Sequence, residues 1–280
     1  MKQVANGPIS LMTESFGAPE DPALVLVMGA TASMLSWPDA LCRRLAAGGF
    51  RVIRFDHRDT GQSTTGPAGE PGYTIEDMVG DLFAVLDGYD LPAAHVVGMS
   101  LGGLIGQMAA LTQPERVRSL TLIASEPLGW DGEPLSHISD AVMAHFQEAA
   151  TLDWSDRAAV AGFLLEVSLL CSGSRYGFDA RGERAVIERV LDRTDNIAAA
   201  FNHSRLALDG DWTGRFRDIR QPVLVIHGAE DPVLPLVNGR ALAEGIAGAR
   251  FTVLHGVGHE LPPPELPVLA AEMLAFLRTV

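Results

Sequence analysis

Six short apolar runs recur along this 280-residue chain: Ala23 to Val27, Val52 to Phe55, His95 to Val97, Leu120 to Ala124, Val223 to Ile226 and Phe251 to Leu254. Each is bounded by glycine, proline or charge, the composition of a strand buried on both faces. Helical patterns separate most of them. Trp37 to Ala47 carries apolar residues at helical spacing, and Thr74-Ile75-Glu76-Asp77 reads as the capped start of a helix running to about Tyr89. Strands alternating with helices predict an α/β fold: a mostly parallel central sheet covered by helices on both faces. After Ala124 the alternation stops, and helical patterns take over at Pro134 to Ala150, Ser155 to Cys171 and Ala180 to Arg193. Gln221-Pro222 restarts the sheet, and Leu266 to Leu277 closes it as a helix. The expected organisation is a core of residues 1–127 and 216–280, with a helical cap inserted at 128–215.

One run leads directly into Gly98-Met99-Ser100-Leu101-Gly102, and Leu104 to Leu111 beyond it reads as a helix. G-x-S-x-G alone arises by chance in about one chain in six of this composition. A strand before it and a helix after it make it the nucleophile-elbow pattern. The sharp turn needs small neighbours and presents the Ser100 hydroxyl above the sheet. Gly61-Gln62-Ser63-Thr64-Thr65 lacks both the second glycine and the helix.

A serine hydroxyl needs a histidine to take its proton and a carboxylate to orient that histidine. In elbow enzymes these follow in the order serine, acid, histidine, each in a loop beyond a strand's carboxyl end. Asp231, after the run Val223 to Ile226, is the expected acid, with Glu126 and the adjacent Glu230 as competitors. His259, in Gly256-Val257-Gly258-His259, is the expected base among eight histidines. The expected oxyanion donors are the backbone N–H groups of Leu101 and Ala30. His255 and His259 have the spacing of a helical metal pair, yet the intervening glycines oppose a helix, so no metal site is expected. His57, His95, His137, His145, His203 and His227 read as structural or surface residues. Met34, Trp37, Trp130 and Met143 read as core residues before pocket residues.

A formal net charge of -14 opposes general electrostatic binding to nucleic acid or anionic membrane. A neutral or apolar small molecule is the expected partner. Cys42 and Cys171 are too few for a disulfide framework and read as free buried thiols. The first residues lack the apolar core of a signal peptide, so a soluble, cytoplasmic protein is expected. A homo-oligomer is compatible with this sequence, which leaves the oligomeric state open.

With these residues the chain resembles the α/β-hydrolase family along essentially its whole length. The resemblance rests on Gly98 to Gly103, Asp56-His57-Arg58-Asp59-Thr60-Gly61-Gln62-Ser63, the Gly228 to Pro232 loop and Gly258-His259. Val27-Met28-Gly29, Trp37-Pro38-Asp39 and His95-Val96-Val97-Gly98 look most like the aclacinomycin-type anthracycline methylesterases. That resemblance implies hydrolysis of a methyl ester on a polyketide by a Ser-His-Asp triad without a cofactor. This chain departs from the pattern at Ala30 and Leu101, and none of the motifs that carry the resemblance lies in the cap. Asp56 to Ser63 is expected to brace the oxyanion loop as a tight turn. An ester hydrolase is therefore expected, with lactonase, cofactor-free perhydrolase and a non-enzymatic small-molecule receptor as alternatives.

Overall fold

A computed structural model describes residues 1–280. The chain forms one eight-stranded sheet with spatial order β1-β2-β4-β3-β5-β6-β7-β8. In chain order its elements are β1 (Lys2–Asn6), β2 (Ile9–Phe16), β3 (Ala23–Val27), α1 (Asp39–Ala47), β4 (Arg51–Phe55), α2 (Ile75–Gly88), β5 (Ala94–Met99), α3 (Leu101–Thr112) and β6 (Val117–Ile123). Then come α4 (Asp140–Glu148), α5 (Arg157–Cys171), α6 (Ala180–Leu191), β7 (Val223–Gly228), α7 (Leu236–Gly245), β8 (Arg250–Leu254) and α8 (Leu266–Leu277). All six strands expected from the apolar runs are present and mutually parallel.

The sequence reading missed the hairpin β1-β2, which extends the sheet antiparallel to β4, with Thr13 opposite Phe55. These strands are buried on one side only, so their signal is the alternation of Leu11 and Thr13 rather than a continuous apolar run. Gly7-Pro8 makes the two-residue turn, with Gly7 at φ +57° in the left-handed region such a turn demands.

Two apolar layers flank the sheet. On one face Met78, Leu82 and Leu86 of α2 join Ile105 and Met108 of α3 and Leu242 of α7 over Val25, Val96 and Val225. On the other, Leu41 and Leu45 of α1 meet Leu269, Met273 and Phe276 of α8 over Leu24, Val97 and Ile226. The three- and four-residue spacing within α2 and α8 is what turns one stripe of each helix to the sheet. A capping box at Thr74 and Asp77 starts α2.

Between β6 and β7 the chain leaves the sheet for α4, α5, α6 and a 3₁₀ segment, Ile197–Arg205. The side chain of Ser139 caps α4, which therefore begins later than the pattern from Pro134 suggests. Phe146, Trp154, Phe163 and Phe201 pack ring against ring across this insertion, with centroids 5.1–6.5 Å apart. Polar contacts tie it to the turn after β4. Arg193 pairs with Asp56 at 2.8 Å, and Asn202 Nδ2 donates to Asp59 Oδ2 at 2.8 Å. At its other end, the α5 terminus lies against the loop after β8, where Cys171 O accepts from His259 N–H at 2.8 Å.

Candidate active site

The turn from β5 into α3 holds Ser100 at φ +53°, ψ −121°, a conformation costly for any residue but glycine. Backbone hydrogen bonds hold it there: Ser100 N–H donates to Ile123 O, while its carbonyl accepts from Gly103 N–H, Leu104 N–H and Ser125 Oγ. The glycines are required by contact. A Cβ on Gly98 would lie 2.1 Å from Gly102 O, and one on Gly102 would lie 2.1 Å from Val27 O. Across from the turn, a Cβ on Gly29 would meet the Ser100 Cβ at 3.2 Å, so the loop after β3 runs close beside the serine.

Asp231 lies in the loop after β7 with a fully buried side chain. Its Oδ1 accepts from Val233 N–H and Leu234 N–H, both at 2.8 Å, and its Oδ2 meets His259 Nδ1 at 2.7 Å. Since a carboxylate only accepts, Nδ1 is the donor of this contact and Nε2 is the ring nitrogen free of it. His227 also approaches Asp231 Oδ2, at 3.5 Å, but burial lowers its pKa and its Nε2–H donates to Leu234 O at 2.7 Å. Cys171 is beside the site, and burial pushes its thiol up to about 12, which keeps it protonated and poorly nucleophilic.

The competing carboxylates have other partners. Glu126 Oε2 meets His137 Nε2 at 2.7 Å, and both Glu230 oxygens accept from Ser174. Glycine at 258 follows from the α5 contact, because a Cβ there would come within 2.1 Å of Cys171 O.

Ser100, His259, Ala30 and Leu101 line one cavity of about 1400 Å³ between the sheet and the insertion. Asp231 stands behind His259. Ser100 shares the cavity with His259 without a hydrogen bond to it, a contact that in such sites tightens once substrate is present. Leu101 is the first residue of α3, so its N–H has no helical carbonyl to meet. The cavity walls are largely apolar and include Leu35, Leu104, Met143, Phe146, Trp154 and Phe201. Met143 is thus a pocket residue, whereas Met34 and Trp37 are fully buried in the core.

The turn Asp56 to Ser63 braces the neighbouring loop. Asp56 Oδ1 accepts from Met34 N–H at 2.8 Å, and His57 Nε2–H donates to Met28 O at 2.9 Å. His203, expected from the sequence to be a structural or surface residue, takes part in the site. It is buried, lines the cavity and accepts from Thr31 N–H at 3.0 Å. Nothing within the 3₁₀ segment signals this, because the contact spans 172 residues.

Comparison with known proteins agrees with this architecture. The sequence profile of the α/β hydrolase fold matches residues 22–264. The rhodomycin D methylesterase of Streptomyces peucetius is 34% identical over 99% of this chain and 98% of its own length. The 3-oxoadipate enol-lactonase 2 of Acinetobacter baylyi is 28% identical over 88% of this chain and 85% of its own. Among solved structures, the enol-lactonase of Burkholderia xenovorans superposes with a TM-score of 0.79 at 24% identity, covering 99% of this chain and 100% of that one. Elbow, sheet order and matched length together make this chain a member of the α/β hydrolase family.

Proposed function

We propose that the protein hydrolyses a carboxylic ester of a small, largely apolar molecule through an acyl-enzyme on Ser100. His259 Nε2 takes the Ser100 proton as Oγ attacks the ester carbonyl, and Asp231 holds the imidazole in the required tautomer. The oxyanion of the tetrahedral intermediate rests on the N–H groups of Ala30 and Leu101. His259 then gives its proton to the departing alkoxide. Water, deprotonated by the same imidazole, attacks the acyl carbonyl, and Ser100 leaves with the proton returned. No cofactor or metal takes part in this scheme.

The observation that carries the reading is the His259 Nδ1 to Asp231 Oδ2 bond of 2.7 Å beside a cavity that both Ser100 and His259 line. In this reading residues 1–127 and 216–280 form the catalytic core and 128–215 the cap that shapes the substrate pocket. A cavity of about 1400 Å³ exceeds the usual small-ligand range of about 300–1000 Å³, which suits a polycyclic, polyketide-like acyl group. The 34% identity to a rhodomycin D methylesterase makes a methyl ester the first substrate to test. Lactone hydrolysis is the second reading, favoured by the 28% identity to an enol-lactonase. In this reading the site of action is the cytoplasm. No helix is long and apolar enough to cross a membrane.

The test combines a fluorophosphonate probe with turnover of methyl esters, aryl esters and lactones. The probe labels the wild type and not Ser100→Ala, and methyl esters of polycyclic acids release methanol. Full ester turnover by S100A overturns the reading. Failure of the probe to label, with a ligand recovered intact, supports a receptor instead.

A further inference from the structure

The peptide that bears Ala30 N–H lies between two peptides, each held by a different buried histidine. On one side, the carbonyl of Met28 accepts from His57 Nε2–H at 2.9 Å. On the other, Thr31 N–H donates to His203 Nδ1 at 3.0 Å. His203 Nε2–H in turn donates to Arg58 O at 2.9 Å, so the proton sits on Nε2 and Nδ1 is the acceptor. The two imidazoles pack edge to face with centroids 5.8 Å apart. One comes from the turn after β4, the other from the insertion.

Thr31 explains why such an anchor is needed. Its φ is +64°, a left-handed conformation that a β-branched residue adopts only under constraint. Released, the residue relaxes toward negative φ and turns the peptides on either side of it. The neighbourhood keeps His203 in its accepting form: burial and the adjacent His57 push its pKa down to about 4. Asn202, next in the chain, is itself fixed by Asp59 Oδ2 and Pro67 O.

We propose that His203 is a positioning residue of the active site, through which docking of the inserted segment sets the orientation of the Ala30 oxyanion donor. Without the insertion in place, the Thr31 N–H loses its acceptor and the oxyanion site is incomplete. Substrate enclosure and transition-state stabilisation are thereby coupled. The inference rests on the proposed ester hydrolysis at Ser100.

Three variants separate the hydrogen bond from the packing. Asn places an acceptor oxygen at the position of Nδ1, so His203→Asn keeps the Thr31 contact, whereas His203→Phe and His203→Leu remove it. On an activated aryl ester, H203F and H203L should lose about 30- to 100-fold in kcat with KM within about threefold, and H203N should stay within about fivefold of wild type. An aryl trifluoromethyl ketone, which adds Ser100 Oγ to form a hemiketal oxyanion, should weaken in parallel with kcat/KM. The matching methyl ketone should not. The inference is overturned if H203F and H203L keep wild-type kcat while S100A is inactive. It is equally overturned if H203N falls as far as H203F, or if neither acceptor-free variant folds, because either result makes His203 a packing residue. Activity in S100A instead removes the underlying reading, a distinct result.

Discussion

Asp231 and His259 meet through one oxygen only, because the other carboxylate oxygen is held by the N–H groups of Val233 and Leu234. The orientation of the carboxyl is therefore set by its own loop, independently of the histidine. In Asp231→Asn the amide oxygen must stay on those two donors, which turns the NH₂ group toward His259 Nδ1. The imidazole then carries its proton on Nε2, where it cannot accept one from Ser100. D231N should lose about 10³- to 10⁴-fold in kcat with little change in thermal stability, read by steady-state kinetics and a melting curve on the same sample.

Glycine substitutions should separate by sign. Gly102→Ala drives its methyl group to 2.1 Å from Val27 O, a backbone atom that cannot yield, and should cost about 3 kcal/mol or more. Gly162, inside α5, has open space where its Cβ would be, so Gly162→Ala should stabilise by roughly 0.5–1 kcal/mol. Urea unfolding of the two variants beside the wild type decides this. A destabilised G162A would be the failing result.

Three buried histidines, His57, His95 and His203, are each pushed down to about 4, chiefly by burial. The titratable and charged groups facing them are Arg58 for His57, Arg118 for His95, and His57, Asp59 and Arg58 for His203. A histidine that is neutral when folded but titrates near 6.5 when unfolded binds its proton preferentially in the unfolded chain. Its contribution is present in full above pH 6.5 and fades as pH falls toward 4, by on the order of 2 kcal/mol per histidine at pH 5. Urea unfolding at pH 7.5 and pH 5 should show a clear loss of stability, and His95→Asn should reduce that loss by about a third. Equal stability at both pH values would show that these side chains take up protons in the fold as readily as in the unfolded chain.

Those parts of the fold made by continuous local patterns were legible in the sequence. The runs ALVLV and VLVIHG have no polar face, so their two-sided burial is written in composition alone. Thr74 with Asp77 announces α2, and glycine at 98 and 102 with Ser100 between announces a turn whose neighbours come within atomic contact. What stayed hidden depends on pairs far apart in sequence. The half-exposed β1-β2 hairpin needed its partner β4 to become a strand, and the role of His203 appears only when the insertion folds back on a loop 172 residues away. The choice among Asp231, Glu126 and Glu230 was ordered by loop position. Side-chain geometry then gives Glu126 to His137 and Glu230 to Ser174.

The turn after β4 serves two masters: Asp56 holds Met34 N–H and Arg193, and Asp59 holds Asn202. Arg193 and Asn202 belong to the insertion, so that segment is not an interchangeable module. In a chimera, a foreign insertion without an arginine and an asparagine at these two places would take the paired guanidinium from buried Asp56 and one donor from buried Asp59. New substrate pockets on this scaffold are therefore better sought by changing side chains such as Met143 and Trp154 on the existing helices and loops than by exchanging the segment that carries them.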